Sequence, residues 1–475
     1  MADGERQSDW AADIGTRVFW LALLVGLIVG VIGTGFHLLV DALTRARMVL
    51  VAGGFDQQLQ LQKLVQLSED LLTRYDLRAY VPAGLMVDPI LGARFAATAL
   101  IVAMAVTLAR WLVRRFAPEA AGSGVQEIEG MLLGWRRLRW QRILPVKFVG
   151  GTLALGTGLV LGREGPTIHM GGAASLGLAR AVRSSPSETM ALIAAGAGAG
   201  LAAAFNAPIA GVLFVIEEMR REAPYNFQGY HAVLIACVAA VFVTQGISGV
   251  GPELRLPMVA PPLHHYPLFL VLGVLLGAFG AVFNRMIMLS LDFFSAWSAH
   301  AGWSLVLTIA VGITVLLFLL PAGAGGGEQI VQSLQGQMPG LEALALLLLV
   351  RLAATLASYA AGTPGGVFAP ILGLATIAGL SFVEAARLLA PGLELEPSAF
   401  IAAAMAALFT GSVRAPLVGV VLVAELTDGY PALLAITLAT AMASLTAAAL
   451  GGRPLYEMLL ERTLRLSQRS TGVAA

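Results

Sequence analysis

Charge is what this 475-residue chain has least of: 12% of its residues are Asp, Glu, Lys or Arg, 57% are hydrophobic, and the mean hydropathy is +0.80. Soluble domains carry roughly 25% charged residues, so a water-surrounded globule is excluded and an integral membrane protein is implied. Cysteine is nearly absent as well. Cys237 stands alone in an apolar run, which excludes a disulfide framework or a thiolate metal cluster within one chain. The six histidines form no metal-ligating pattern: His264 and His265 share a Pro-rich loop, the other four are isolated, and His169 reads as a satisfied packing residue. No nucleophile stands beside a base, so a hydrolase built on a serine such as Ser123 lacks its activator, and neither an enzyme nor a cofactor is expected. A net charge of +1 gives no reason to expect nucleic acid.

What is present is apolar length. Runs at 18–40, 95–113, 266–290, 304–321 and 341–361 approach or exceed the ~20 residues that cross a bilayer. The first is too long for a signal h-region and lacks a clear cleavage site, so it is expected to remain as a transmembrane helix. Residues 44–92 read as a polar connection. Basic residues gather at Arg110, Arg114 and Arg115, in WRRLRWQRILPVK (135–147), at Arg220 and Arg221, and from Arg453 to Arg469. Positive residues favour the cytoplasmic face, which places those loops and the C-terminus inside. About ten residues follow the last helix, too few for an appended regulatory domain.

Other apolar stretches are short and broken by Gly and Pro. Unpaired backbone at membrane depth is tolerable only inside protein or along a hydrated path, so the pattern points to a transporter or channel core. The short segments also repeat. NAPIAGVLFVIEEM (206–219) aligns with RAPLVGVVLVAELT (414–427) at an offset of 208, GREG (162–165) falls on GTPG (362–365), and GSGVQEIEG (122–130) loosely echoes GGGEQIVQSL (325–334). Duplicated halves with interruptions in matching positions locate an ion site between them, near the midplane. The expected division is an N-terminal segment 1–17, a first half 18–250, a linker 251–265, a second half 266–466 and a tail 467–475.

In GREGP, Arg163 and Glu164 are ionisable groups in an oily setting and should face a cavity or a partner rather than acyl chains. Alone, the pair reads equally as a mutual salt bridge or a loop end. Pro166 marks the start of a helix, so the loop GREGP ends where TIHMGGAASLG begins. Free N–H groups and the positive dipole end there suit an anion, and the tethered Glu164 carboxylate is one. GTPGGVFAP repeats the design, with Gly365 and Gly366 allowing close backbone approach and the Val367 and Phe368 amides opening the next helix. Several modest donors suit a halide that must also leave. By itself this stretch reads as a small-residue packing contact, Ser123 as an N-cap, and Tyr456 as an interfacial anchor. Glu217 and Glu218 read either as a helix end paired with Arg220 and Arg221 or as inner proton acceptors.

Together, GSGVQEIEG, GREGP, AAAFNAPIAGVLFVIEEM, GTPGGVFAP, RAPLVGVVLVAELTDGY and GGRPLYEMLLERTL, in that order, resemble the CLC family of chloride channels and chloride/proton antiporters, in particular bacterial members without regulatory domains. The resemblance implies an all-α polytopic fold of two inverted halves with tilted and broken helices, in the inner (plasma) membrane. It further implies a homodimer in the lipid bilayer in which each subunit carries its own anion path. By motif, Ser123 and Tyr456 supply hydroxyls and Val367 and Phe368 supply amides to a central chloride, while Gly165 serves an outer site. The filter is drawn from Gly122, Ser123, Gly124, Val125 and Gln126; from Gly162, Arg163, Glu164, Gly165 and Pro166; and from Gly366, Val367, Phe368, Ala369 and Pro370. Glu164 becomes the gating glutamate, Glu218 the inner proton acceptor and Glu217 its accessory. Ser123 favours chloride over nitrate, and GREGP with Tyr456 argues against fluoride. Gln126 departs from the proline usual in the family, restoring a backbone N–H and loosening the loop. The function implied is chloride/proton exchange, with a passive chloride channel as the alternative.

Overall fold

The computed structural model describes residues 15–52, 89–219, 227–334 and 339–470. Most of the polar connection, Arg220 and Arg221 and the last residues of the tail lie outside them. Helices α1 (Arg17–Ala52), α2 (Pro89–Phe116), α3 (Val125–Leu132) and α4 (Trp140–Gly156) are followed by α5 (Glu164–Ala181), α6 (Pro186–Phe205), α7 (Pro208–Glu217) and α8 (Phe227–Ser248). Then come α9 (Tyr266–Leu319), α10 (Glu328–Leu334), α11 (Leu341–Ala360) and α12 (Phe368–Leu389), and finally α13 (Pro397–Val413), α14 (Pro416–Thr427), α15 (Leu433–Ala449) and α16 (Leu455–Ser470). Eight helices among the described residues are long and apolar enough to cross a bilayer.

One boundary differs from those the hydropathy suggests. The first helix continues to Ala52, into the stretch that reads as a polar connection. The runs at 266–290 and 304–321 lie in two helical arms of α9, which meet at a non-helical break at Ala301 (φ −148°, ψ 62°).

The order α3 to α8 recurs as α10 to α15, short and long members in matching places. The chain leaves α6 through Asn206 and leaves α13 through Arg414, both left-handed (φ 54° and 70°). An alanine and a proline then open α7 and α14, where the proline's missing N–H costs nothing. These two short helices cap one another. Glu425 of α14 accepts from the N–H groups of Ile209 and Ala210 (3.1 and 2.7 Å), and Glu217 of α7 accepts from those of Leu417 and Val418 (3.2 and 2.8 Å). Each carboxylate thus satisfies donors that the first helical turn leaves unpaired, at the positive end of the other helix's dipole.

Small residues let the central helices touch. A Cβ on Gly200 would strike the backbone of Thr167 and Ile168, and one on Gly171 would strike Gly196, so α5 and α6 cross at backbone contact. The apolar window of α6 is 89% buried inside protein, against 39% for the corresponding window of α2, so α6 lies within the bundle while α2 has a lipid-accessible face. This packing brings the helix starts of both halves to one central point.

The reciprocal caps make a stability prediction. Glu425→Ala leaves the Ile209 and Ala210 donors unpaired and should cost about 1–2 kcal/mol, read as a lowered unfolding midpoint in detergent. Glu425→Gln, which keeps an acceptor without the charge, should lose less; equal midpoints in all three proteins would show that the swap contributes nothing.

Candidate functional site

Three loops meet at that point, from the starts of α3, α5 and α12, and the backbone stitches them together. Gly122 N–H donates to Thr363 C=O and Gly365 N–H to Gly122 C=O, both at 3.0 Å. Gly162 and Gly366 exchange two bonds of 2.8 and 2.7 Å. These are isolated bridges, with no strand among the described residues. Glycine is required at Gly165, where a Cβ would run into Ser123, and at Gly124, which is left-handed (φ +91°) and lies over the His169 ring.

Lys147 holds the first loop from behind. Its ammonium donates to the carbonyls of Ala120 (3.1 Å) and Gly122 (2.7 Å), and the side chain is wholly buried. The cytoplasmic basic loop expected over 135–147 therefore ends earlier: α4 begins at Trp140 and carries Lys147 inward. A single lysine within ILPVKFVGG was the available signal.

Glu164 is itself the first residue of α5, with Arg163 as N-cap, so the helix begins before Pro166 and not after it. Pro166 still falls in the first turn, where it removes a donor that would have no partner. The carboxylate is fully buried, lies against Gly162 and faces its own amide and that of Ala369 near the start of α12, but neither of its oxygens makes a hydrogen bond of normal geometry with described groups. One anionic group thus sits between two helix N-termini, where free N–H groups favour negative charge while burial opposes it.

Deeper in, Ser123 Oγ and the Tyr456 hydroxyl are both buried and make no hydrogen bond of normal geometry with described groups. Phe368 stacks on Tyr456 (centroids 6.2 Å apart, 25° between planes), fixing the phenol relative to the start of α12. Buried hydroxyls are ordinarily hydrogen-bonded, so this pair fits the surroundings of an anion that accepts from both. Glu218 closes α7 on the Tyr456 side, where its charge reaches the phenol. Glu217 faces α14 as a cap.

Arg163 turns outward, away from Glu164. It binds Glu253 (2.7 Å) and Glu328 (3.0 Å), with His37 at 3.2 Å and His37 bound in turn to Asp41 (2.9 Å). These partners lie on α1, the linker and α10, far apart in sequence, and no local motif marks them. A small cavity of about 50 Å³ joins Glu328, Asp41 and Arg163 to Gly162 and Ala369 beside the Glu164 carboxylate.

Gln126 restores a backbone N–H and also brings a side-chain bond to its loop. Its side-chain oxygen accepts from Gly124 N–H at 3.2 Å, tying the loop across the start of α3 and withdrawing that amide from other acceptors. His169 packs as expected but is not satisfied: both ring nitrogens are buried without a partner among the described residues, because the ring lies under Gly124 among apolar neighbours.

The family model described as voltage gated chloride channel matches residues 105–448. The chain belongs to this family. The H(+)/Cl(-) exchange transporter ClcA of Vibrio cholerae is 40% identical over 453 residues, covering 94% of this chain and 90% of that protein. Among solved structures, a slow cyanobacterial Cl-/H+ antiporter superposes with a TM-score of 0.82 at 35% identity, over 95% of this chain and 99% of that one. A eukaryotic CLC transporter, 21% identical over 94% of this chain and 73% of that one (TM-score 0.70), shows the shared fold alone. The architecture is thus the all-α CLC fold of two inverted halves, and the chain is a multi-pass membrane protein.

Removing the Gln126 tie isolates its contribution. Gln126→Ala leaves the Gly124 N–H without its acceptor and should destabilise the protein by about 1–2 kcal/mol, measured as a lower unfolding midpoint; an unchanged midpoint would show the bond to be idle.

Proposed function

We propose that the chain is a secondary transporter that exchanges chloride for protons, and that Glu164 belongs to both paths. The supporting observation is the carboxylate of Glu164 lying between the N-termini of α5 and α12, where an anion would also be held. Ionised, the side chain occupies the outer anion position beside Gly165; protonated, it loses the attraction of the helix ends and yields that position. The central chloride takes hydroxyl donors from Ser123 and Tyr456 and amide donors from Val367 and Phe368. The loops 122–126, 162–166 and 366–370 form the filter around it. Weak donors at several points let the ion leave again.

Glu218 passes protons between Glu164 and the inner solution. Glu217 shares that access, and its bonds to Leu417 and Val418 fix where it does so. The names of the Vibrio cholerae and cyanobacterial relatives, both chloride/proton exchangers, favour this reading over a passive channel. So does an acid at position 218, because a channel has no use for an inner proton acceptor. The halves 18–250 and 266–466, joined by the linker 251–265, each contribute loops to the site, and the protein works as a homodimer in the inner membrane with one path per subunit. It has no catalytic chemistry of its own.

Purified protein in liposomes under a chloride gradient should drive protons against their own gradient. Glu218→Ala should abolish proton movement and spare chloride flux, and Glu164→Ala should leave chloride flux uncoupled. Proton transport surviving in Glu164→Ala, or a reversal potential fixed at the chloride value at every pH in the unmodified protein, would overturn the assignment.

A further inference from the structure

A chamber of about 350 Å³ opens directly beside Gly122 and Gln126 of the first loop. Arg110, Arg114 and Arg462 line it, and among the described residues no aspartate or glutamate does. Arg110 is only 8% exposed, yet among the described residues it has no carboxylate partner: it donates to Ala361 C=O at 2.7 Å and to Ser298 Oγ. Arg114 donates to the same hydroxyl at 2.9 Å. Arg462, on the facing wall, binds Asp292, which is 70% exposed. Elsewhere the comparable arginines find acids: Arg136 binds Glu127, Arg139 binds Glu119 and Arg163 binds two carboxylates. Arg351, Arg47 and Arg414 bond to backbone carbonyls instead: a fan of loop carbonyls for Arg351, Gly156 C=O at 3.1 Å for Arg47 and Ser444 C=O at 2.6 Å for Arg414.

The buried Arg110 guanidinium is costly in a membrane protein without a counter-charge, and Arg114, exposed at the mouth of the chamber, converges with it on one hydroxyl and adds repulsion. The cost is offset if an anion occupies the chamber. Its shape favours a polyatomic one. Guanidinium forks match the paired oxygens of an oxyanion, whereas a halide offers a single centre. Ser298 Oγ already accepts from both arginines, so its own proton is available to a further acceptor. The volume is many times that of a halide, and the stitched loops above it would stop anything larger.

We propose that this chamber binds a phosphate-class oxyanion, held by Arg110, Arg114 and Ser298, which competes with chloride for access to the Ser123 loop. The chemistry is the same whether the phosphate is free or is the headgroup of an anionic lipid. The competition rests on the chloride path proposed above; the binding does not, and is measured separately.

Inorganic phosphate is titrated into purified protein at low chloride and constant ionic strength. Saturable binding is expected, weakened about tenfold or more by Arg114→Gln, the loss of one charge-assisted contact, and also weakened by Ser298→Ala. Chloride flux is then followed in phosphatidylcholine vesicles, each variant normalised to its own flux without phosphate. Phosphate should slow the unmodified protein, less so at high chloride, and slow Arg114→Gln much less. In a second arm, phosphatidic acid in the vesicles replaces free phosphate, and inhibition found only there supports the site with lipid as the source. Binding or inhibition identical in the unmodified protein and both variants, or absent in both arms, would overturn the site; binding that leaves flux untouched would overturn the competition.

Discussion

The structure depends on one buried carboxylate held between two helix ends. Glu164 could not stay ionised in an apolar interior unaided, because burying an isolated charge is among the costliest events in folding. Two sets of free amides, from α5 and from the start of α12, make its position tolerable. Those ends come from different halves of the chain, so the site exists only where the halves meet. Stability and function are therefore set by the same geometry: the amides that the carboxylate faces are the ones that would hold a halide in its place.

That geometry is kept by backbone and not by side chains. The bonds joining Gly122 to Thr363 and Gly365, and those joining Gly162 to Gly366, hold the three loops at main-chain distance. Only glycine permits such an approach at Gly165. Lys147 anchors the first loop and Gln126 ties it off, while Arg163 and its two carboxylates anchor the second. Behind them, the exchange of caps between α7 and α14 locks the halves together beside Glu218, the C-cap of α7. An ion site made of weak donors needs such rigidity, since each donor contributes little unless it is already in place.

Much of this was legible in the sequence, for reasons that differ by residue. The repeat of NAPIAG and RAPLVG survives as matched left-handed exits and proline-led helices, because those turns need particular residues at particular positions. GREGP marked a helix start because few residues tolerate that place, although the helix begins at Glu164 itself and not at Thr167, a shift of three residues that puts the carboxylate in the first turn. Partnerships across the fold left no such mark. Nothing near Arg163 points to Glu253 or Glu328, and the Glu217 and Glu425 pair showed only that the two acids correspond, not that each serves the other's helix. Lys147 was concealed by the basic run before it, and the Gln126 side-chain bond to Gly124 N–H was not foreseen because only the backbone N–H that residue restores was weighed. Local rules reveal elements and turns; which charge meets which is decided by packing.

The central claim is that the Glu164 carboxylate and a halide take the same place. An anomalous-scattering structure of Glu164→Gln with bromide tests it most directly. A bromide peak at the present position of the carboxylate, beside Gly162 and the Ala369 amide, with the residue 164 side chain displaced, is the predicted result. A glutamine seated where the glutamate lies now, with no bromide between α5 and α12, would contradict it.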